Sequence, residues 1–128
     1  MTKQQMFERS VRGLAAQNWA RAMLGGACVY RTPGGLGCAL GVLMSRREAV
    51  ACDAARWLCD ARWPTARYGP VSTAVASDSG LVGLAVSLQA AHDACGTGSD
   101  DMLTRLQLRR ALARVGEAWS LEWPEDVA

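Results

Sequence analysis

The 128-residue chain contains one histidine, His92, followed directly by Asp93, and five cysteines: Cys28, Cys38, Cys52, Cys59 and Cys95. These groups could do two kinds of chemistry. In the first, a thiol acts as nucleophile, which requires a base within reach and a third group to hold that base. Cys28 or Cys38 is the candidate thiol and His92 the candidate base. Asp93 is poorly placed to orient the ring, because neighbouring helical side chains diverge by about 100°, so the orienting group would have to come from elsewhere. The simpler alternative is a structural histidine at a helix end, where its charge is favoured.

In the second, Cys28, Cys38, His92 and Cys95 supply ligand types that suit zinc. His92 and Cys95, at i and i+3, can reach one ion. Nine residues separate Cys28 from Cys38, wider than the roughly two to four of a zinc knuckle. An odd cysteine count without framework spacing favours reduced thiols with no metal and no other cofactor. The chain has no phosphate-binding loop, dinucleotide fingerprint or zinc-protease motif.

The cysteines must be positioned by the stretch Ala27–Met44, which carries the chain's clearest hairpin signal. Cys28 to Thr32 includes β-branched and aromatic residues, Pro33 sets the first corner of a turn, and Gly34 or Gly35 supplies positive φ. The predicted register over about 27–40 sets Thr32 opposite Leu36 and Tyr30 opposite Cys38, with Cys28, Tyr30, Cys38 and Leu40 on one face. Gly37 and Gly41 leave room for close backbone approach by a helix.

Helices are predicted around this hairpin. Thr2 and Gln5 form a capping box before the stripe Phe7, Val11 and Leu14. Trp19–Leu24 adds a helical turn that Gly25-Gly26 breaks. Ser45 and Glu48 form a second capping box, before a helix with Val50, Ala54, Trp57, Leu58 and Ala61 on one stripe, which Pro64 ends. Residues 64–76 read as a loop. Residues 77–95 read as a central helix, apolar almost all round and therefore buried, with Gln89, His92 and Asp93 at its polar end. After the Gly96-Thr97-Gly98 link, Ser99, Asp100 and Asp101 start a last helix. Its main stripe is Leu108, Leu112, Val115 and Trp119, while Leu103, Leu106 and Ala113 lie nearly opposite, as an interface would. The tail packs through Trp123.

This pattern predicts one mainly α domain (α+β) over 1–128, with four or five helices around a central buried helix and one β-hairpin. Residues 1–67 carry ten Lys or Arg against four acids, and residues 68–128 carry four Arg against eight acids, giving +6 and −4. The simplest consequence is attraction between the halves. The arginines are dispersed and lack interleaved exposed aromatics, so nucleic acid is not the expected partner. Apolar runs are too short to span a membrane, and the N-terminal stretch lacks an apolar signal core, so a cytoplasmic protein is expected.

The series Gly-Gly-Ala-Cys-Val-Tyr-Arg-Thr-Pro-Gly-Gly-Leu-Gly-Cys-Ala-Leu-Gly-Val-Leu-Met, with Leu-Gln-Ala-Ala-His-Asp downstream, resembles a set of small uncharacterised bacterial and phage proteins. They share a helix starting near Thr-Lys-Gln, a Cys-x-Tyr-Arg turn ending in Cys-Ala-x-Gly, and a Leu-Gln-x-x-His-Asp helix. The resemblance covers Met1–Met44 and Leu88–Asp93; the middle helix and loop have no counterpart. It brings no activity, but it implies that Cys28, Tyr30, Arg31, Cys38, His92 and Asp93 lie together. From these residues a structural polar cluster of Tyr30, Arg31, His92 and Asp93 is expected. The phage association implies a small non-catalytic binding protein, an inhibitor of a host protein such as a defence system or a polymerase, by analogy alone. Leu103 and Leu106 would contact that protein or a second copy of this chain. The alternative is a small thiol- or zinc-dependent enzyme using Cys28, Cys38 and His92.

Overall fold

The computed structural model describes residues 1–25, 27–58, 65–95 and 101–128. Among these residues are five α-helices, α1 (Lys3–Ala16), α2 (Arg46–Ala55), α3 (Pro70–Ser77), α4 (Ser79–Asp93) and α5 (Met102–Ala118). A short antiparallel pair, β1 (Met23–Leu24) and β2 (Ala27–Cys28), and a 3-10 turn at Gly41–Leu43 complete the described elements. The protein is mainly α with one β-hairpin. No described helix is long and apolar enough to cross a membrane.

α1 starts at the predicted capping box: Thr2 Oγ1 accepts from the Gln5 amide at 3.1 Å and Gln5 Oε1 accepts from the Thr2 amide at 2.8 Å. Its buried side carries Met6, Phe7, Ser10, Val11 and Leu14. α4 packs against α5, α3 and α1. Its buried residues are Leu81, Leu84, Ala85, Leu88 and His92, and Val86 is exposed. α4 is therefore buried along one face rather than all round, because nothing described covers its outer side.

Four sequence expectations change. The first concerns Trp19–Leu24, which is not helical. Asn18 and Trp19 take positive φ, the chain extends, and Met23–Leu24 pairs with Ala27–Cys28. The strand pair thus forms one limb earlier, taking the first residues of the predicted hairpin, Ala27–Cys28, as its second strand. The predicted register of the later limb is present as a single bridge, Arg31 to Gly37, flanked by Thr32 N–H to Leu36 O at 2.8 Å and Cys38 N–H to Tyr30 O at 3.0 Å. Second, α2 stops at Ala55, where Arg56 takes a left-handed φ of 54°. Its buried residues are Glu48, Ala49 and Cys52, whereas Val50 and Ala54 are exposed. The predicted helix end, with Cys59, Ala61 and Pro64, lies outside the described residues.

Third, the second capping box is only half formed. Ser45 Oγ accepts from the Glu48 amide at 3.1 Å, but the Glu48 carboxylate turns away. It accepts from Val71 N–H at 3.1 Å, Ser72 N–H at 2.8 Å and Ser72 O–H at 2.7 Å. A buried carboxylate needs such donors, and the helix N-terminus that supplies them is α3, in the segment read as a loop. Pro70 at the first helical position suits that start. Fourth, the close approach at Gly41 is made by the chain's own loop: a Cβ there would lie 1.6 Å from the Tyr30 carbonyl oxygen.

α5 begins at Asp101, whose Oδ1 accepts from the Thr104 amide at 2.8 Å; the predicted Gly96–Asp100 link and start lie outside the described residues. The C-terminal tail returns to α1. Trp123 stacks on Trp19 at 6.0 Å and meets Phe7 edge-on at 6.2 Å. Arg12 reaches Asp126 at 3.0 Å, and Gln4 and Glu122 exchange side-chain to backbone hydrogen bonds.

Two outcomes are expected. Gly41→Ala forces the Tyr30 backbone away and should cost about 3 kcal/mol or more, read from urea unfolding; a loss under about 1 kcal/mol would contradict the packing. The Arg12 hydrogen bond holds the Asp126 carboxyl below its ordinary value of 3.8. A depressed folded pKa gives stability that is present above the ordinary value and lost as pH falls through the folded one. Acidification below about pH 4 should therefore loosen the tail and shift tryptophan emission to the red while α1 stays helical. In Asp126→Asn that acid-dependent step should vanish.

Candidate functional site

The chemistry-bearing residues converge where β2 meets the last turn of α4. Cys28 ends β2, and His92 and Asp93 close α4. The Cys28 sulfur, a ring nitrogen of His92 and a carboxylate oxygen of Asp93 all lie within 4.8 Å of one another. His92 Nδ1 is 3.1 Å from Asp93 Oδ1, so the neighbouring aspartate does contact the ring despite the angular divergence along the helix. The His92 side chain is fully buried, whereas that of Asp93 is 47% exposed. His92 Nε2 is buried without a hydrogen-bond partner among the described residues. Asp93 also accepts from Gln89 Nε2 at 3.1 Å.

A residue absent from the sequence reading joins this cluster. Arg21 is buried and directs Nη2 to Cys28 Sγ and to the Asp93 carbonyl oxygen, each at 3.5 Å. A signal was present: Arg21 is the one charged residue between Asn18 and Tyr30, and a charge isolated in an apolar stretch needs a partner when it is buried.

The expected polar cluster of Tyr30, Arg31, His92 and Asp93 divides. Tyr30 is buried, donates its hydroxyl to the Trp57 carbonyl and tilts against the Trp57 ring at 5.9 Å. Its backbone N–H donates to Asp53 Oδ1 at 2.9 Å. The ring is thus tied to α2 and to the turn after it, while His92 and Asp93 pair with each other. Arg31 makes the backbone bridge to Gly37, and its Nε is buried without a partner among the described residues. A cleft of about 410 Å³ joins the two groups, with Cys28, Tyr30, Asp53, Trp57, Gln89 and Asp93 among its walls.

The other candidate ligands stand apart. Cys38 is fully enclosed and its sulfur accepts from the Gly41 amide at 3.3 Å. Cys95 turns back along α4 to the Ala91 carbonyl at 3.1 Å. The structure groups Cys28 with His92 and Asp93, not with Cys38 and Cys95. Cys28, Cys38, Cys52 and Cys95 are free thiols. Burial pushes the Cys38 and Cys52 thiols up to about 12. Burial and then the Asp93 carboxylate push Cys28 up, against the opposing pull of Arg21. A reactive cysteine needs the reverse shift, which at Cys28 only Arg21 favours, against burial and Asp93.

The surface offers a second feature. At the start of α5, Met102 is 85% exposed, Leu103 61% and Leu106 40%. Met102 and Leu106 border a cleft with Trp19, Asn18, Arg105 and Arg109. Arg105 donates to the Asn18 carbonyl at 3.4 Å, and Arg109 lies 4.9 Å over the Trp123 ring. No protein-family model matches the chain, and no curated protein or solved structure matches it significantly.

Asp53→Ala removes the acceptor of a part-buried amide and should cost about 1–3 kcal/mol. Asp93→Ala strips the fully buried His92 ring of its partner at Nδ1 and should also cost about 1–3 kcal/mol. Urea unfolding of both variants provides the check; a loss well under about 1 kcal/mol in Asp53→Ala would contradict its assignment as the tether of Tyr30.

Proposed function

We propose that the chain is a small non-catalytic binding protein that engages another protein through the start of α5. The observation that supports this is the exposure of Met102, Leu103 and Leu106 together, beside a cleft walled by Trp19. Three large apolar side chains within five residues of one helix cost hydration free energy when left in water, and such patches are typical of contact sites. Flexible methionine and leucine side chains suit an apolar anchor. Arg105 and Arg109 edge the same cleft, so the fitting partner presents an apolar segment flanked by carboxylates.

The resemblance to bacterial and phage proteins directs this reading to inhibition by occupancy, with a host protein such as a defence factor or polymerase as the one blocked. The elevated Cys28 and Cys38 thiols give the thiol-enzyme alternative no comparable support.

Affinity capture from a bacterial lysate tests the proposal. One protein should be recovered at a one-to-one ratio and lost with Leu103→Asp, while circular dichroism shows the variant folded. Light scattering on the purified chain separates the other occupant: a dimer that Leu103→Asp splits would assign the face to self-association. Recovery of the same partner by the Leu103→Asp and Leu106→Asp variants would overturn the assignment of this face.

A further inference from the structure

We propose that Cys28, His92 and Asp93 bind one divalent cation of intermediate softness, with zinc the best fit, and that the ion cross-links β2 to the end of α4. The donor set is one sulfur, one imidazole nitrogen and one carboxylate oxygen, the three ligand types that zinc accepts. Their atoms already lie within 4.8 Å of one another. Tetrahedral zinc with bonds of about 2.0–2.3 Å sets its ligand atoms about 3.4–3.6 Å apart, so the widest of these separations, at most 4.8 Å, must close by about 1 Å. Cys28 is exposed and ends a two-residue strand, and the Asp93 carboxylate is half exposed, so both can make that adjustment. The buried His92 is the fixed member.

Three features of the surroundings suit a cation. Arg21 places Nη2 3.5 Å from the Cys28 sulfur, where it can donate to a metal-bound thiolate and orient it. Gln89 holds Asp93 Oδ1 at 3.1 Å, which orients the carboxylate in the same way. Cys28 and Asp93 also line the cleft beside Tyr30, which leaves one coordination position for water from that side. The spacing of Cys28 and Cys38 pointed away from metal because it compared the wrong pair: the second and third ligands are His92 and Asp93, brought to Cys28 by the fold.

Cobalt(II) titration of the stripped, reduced protein tests the assignment, with zinc as competitor. One cobalt per chain should bind, with a near-ultraviolet sulfur-to-cobalt charge-transfer band and the visible bands of a tetrahedral site, and zinc should displace it. Cys28→Ser should abolish the charge-transfer band. Asp93→Asn should keep the band but weaken binding by about 10-fold or more. Cys95→Ser, whose thiol lies outside the set, should leave both unchanged, and so should Leu103→Asp. The buried His92 is left intact so that the variants fold, as circular dichroism should confirm. Absence of a charge-transfer band in the folded wild type at about 100 μM cobalt, about the dissociation constant of a weak site, would overturn the proposal. So would a band that survives Cys28→Ser.

Discussion

The structure depends on burying a stretch of chain that runs from one isolated bridge to one 3-10 turn. Residues 37–41 are all buried, and their backbone groups have no regular ladder to join. Such groups must find partners, since an unpaired buried amide or carbonyl costs as much as a lost hydrogen bond. Here each partner comes from a specific place. Gln17 brackets Gly37, accepting from its N–H at 3.0 Å and donating to its carbonyl at 2.6 Å. Ser10 donates to the Ala39 carbonyl at 2.7 Å from inside α1. Tyr30 O takes the Cys38 amide, and the Cys38 carbonyl takes that of Val42. With these bonds in place, Leu40 and Cys38 occupy the centre of the core while the backbone around them is largely paired.

That arrangement carries consequences outward. Since the 30–41 loop is held against α1 at Ser10 and Gln17, Tyr30 is fixed, and Tyr30 in turn docks α2 through Asp53 and the Trp57 carbonyl. α2 then presents Glu48 inward, where its carboxylate finds the N-terminus of α3, and favourable charge at a helix start adds to the hydrogen bonds. α3 leads directly to α4 through Asp78, whose Oδ1 accepts from Gly80 N–H at 2.9 Å. A chain of polar contacts therefore sets the order of helices around an otherwise apolar interior.

The segment from Trp19 to Cys28 connects the two surface features. Trp19 walls the apolar cleft beside α5, while Arg21 and Cys28 belong to the cluster at the end of α4. An ion held by Cys28, His92 and Asp93 would anchor this segment at its far end without touching α5. The proposed contact at the apolar face and the proposed ion at the cluster would thus be separable, although one short stretch contributes to both.

Local signals in the sequence determined much of the protein: the capping box at Thr2, the stripe of Phe7, Val11 and Leu14, a helix opening near residue 77 and closing with His92 and Asp93, and the apolar Leu103 and Leu106 opposite the buried stripe. These depend on residues within a turn or two of each other, where helical period and cap chemistry act. The partners of long-range contacts were not legible. Glu48 read as half of a capping box because its spacing from Ser45 allows that, yet three donors 23 and 24 residues away outbid one amide. Residues 65–76 read as a loop because Val71, Ser72 and Val75 show no long period, and their helix is sustained by Glu48. The sequence offered Cys28 and Cys38 equally as the thiol near His92, and only the resemblance grouped them with Asp93, since nothing along the chain shows that β2 ends beside residues 64 and 65 positions on. Side-chain type and period are properties of neighbours in sequence; which carboxylate meets which amide, and which thiol meets the histidine, is decided only when the core closes.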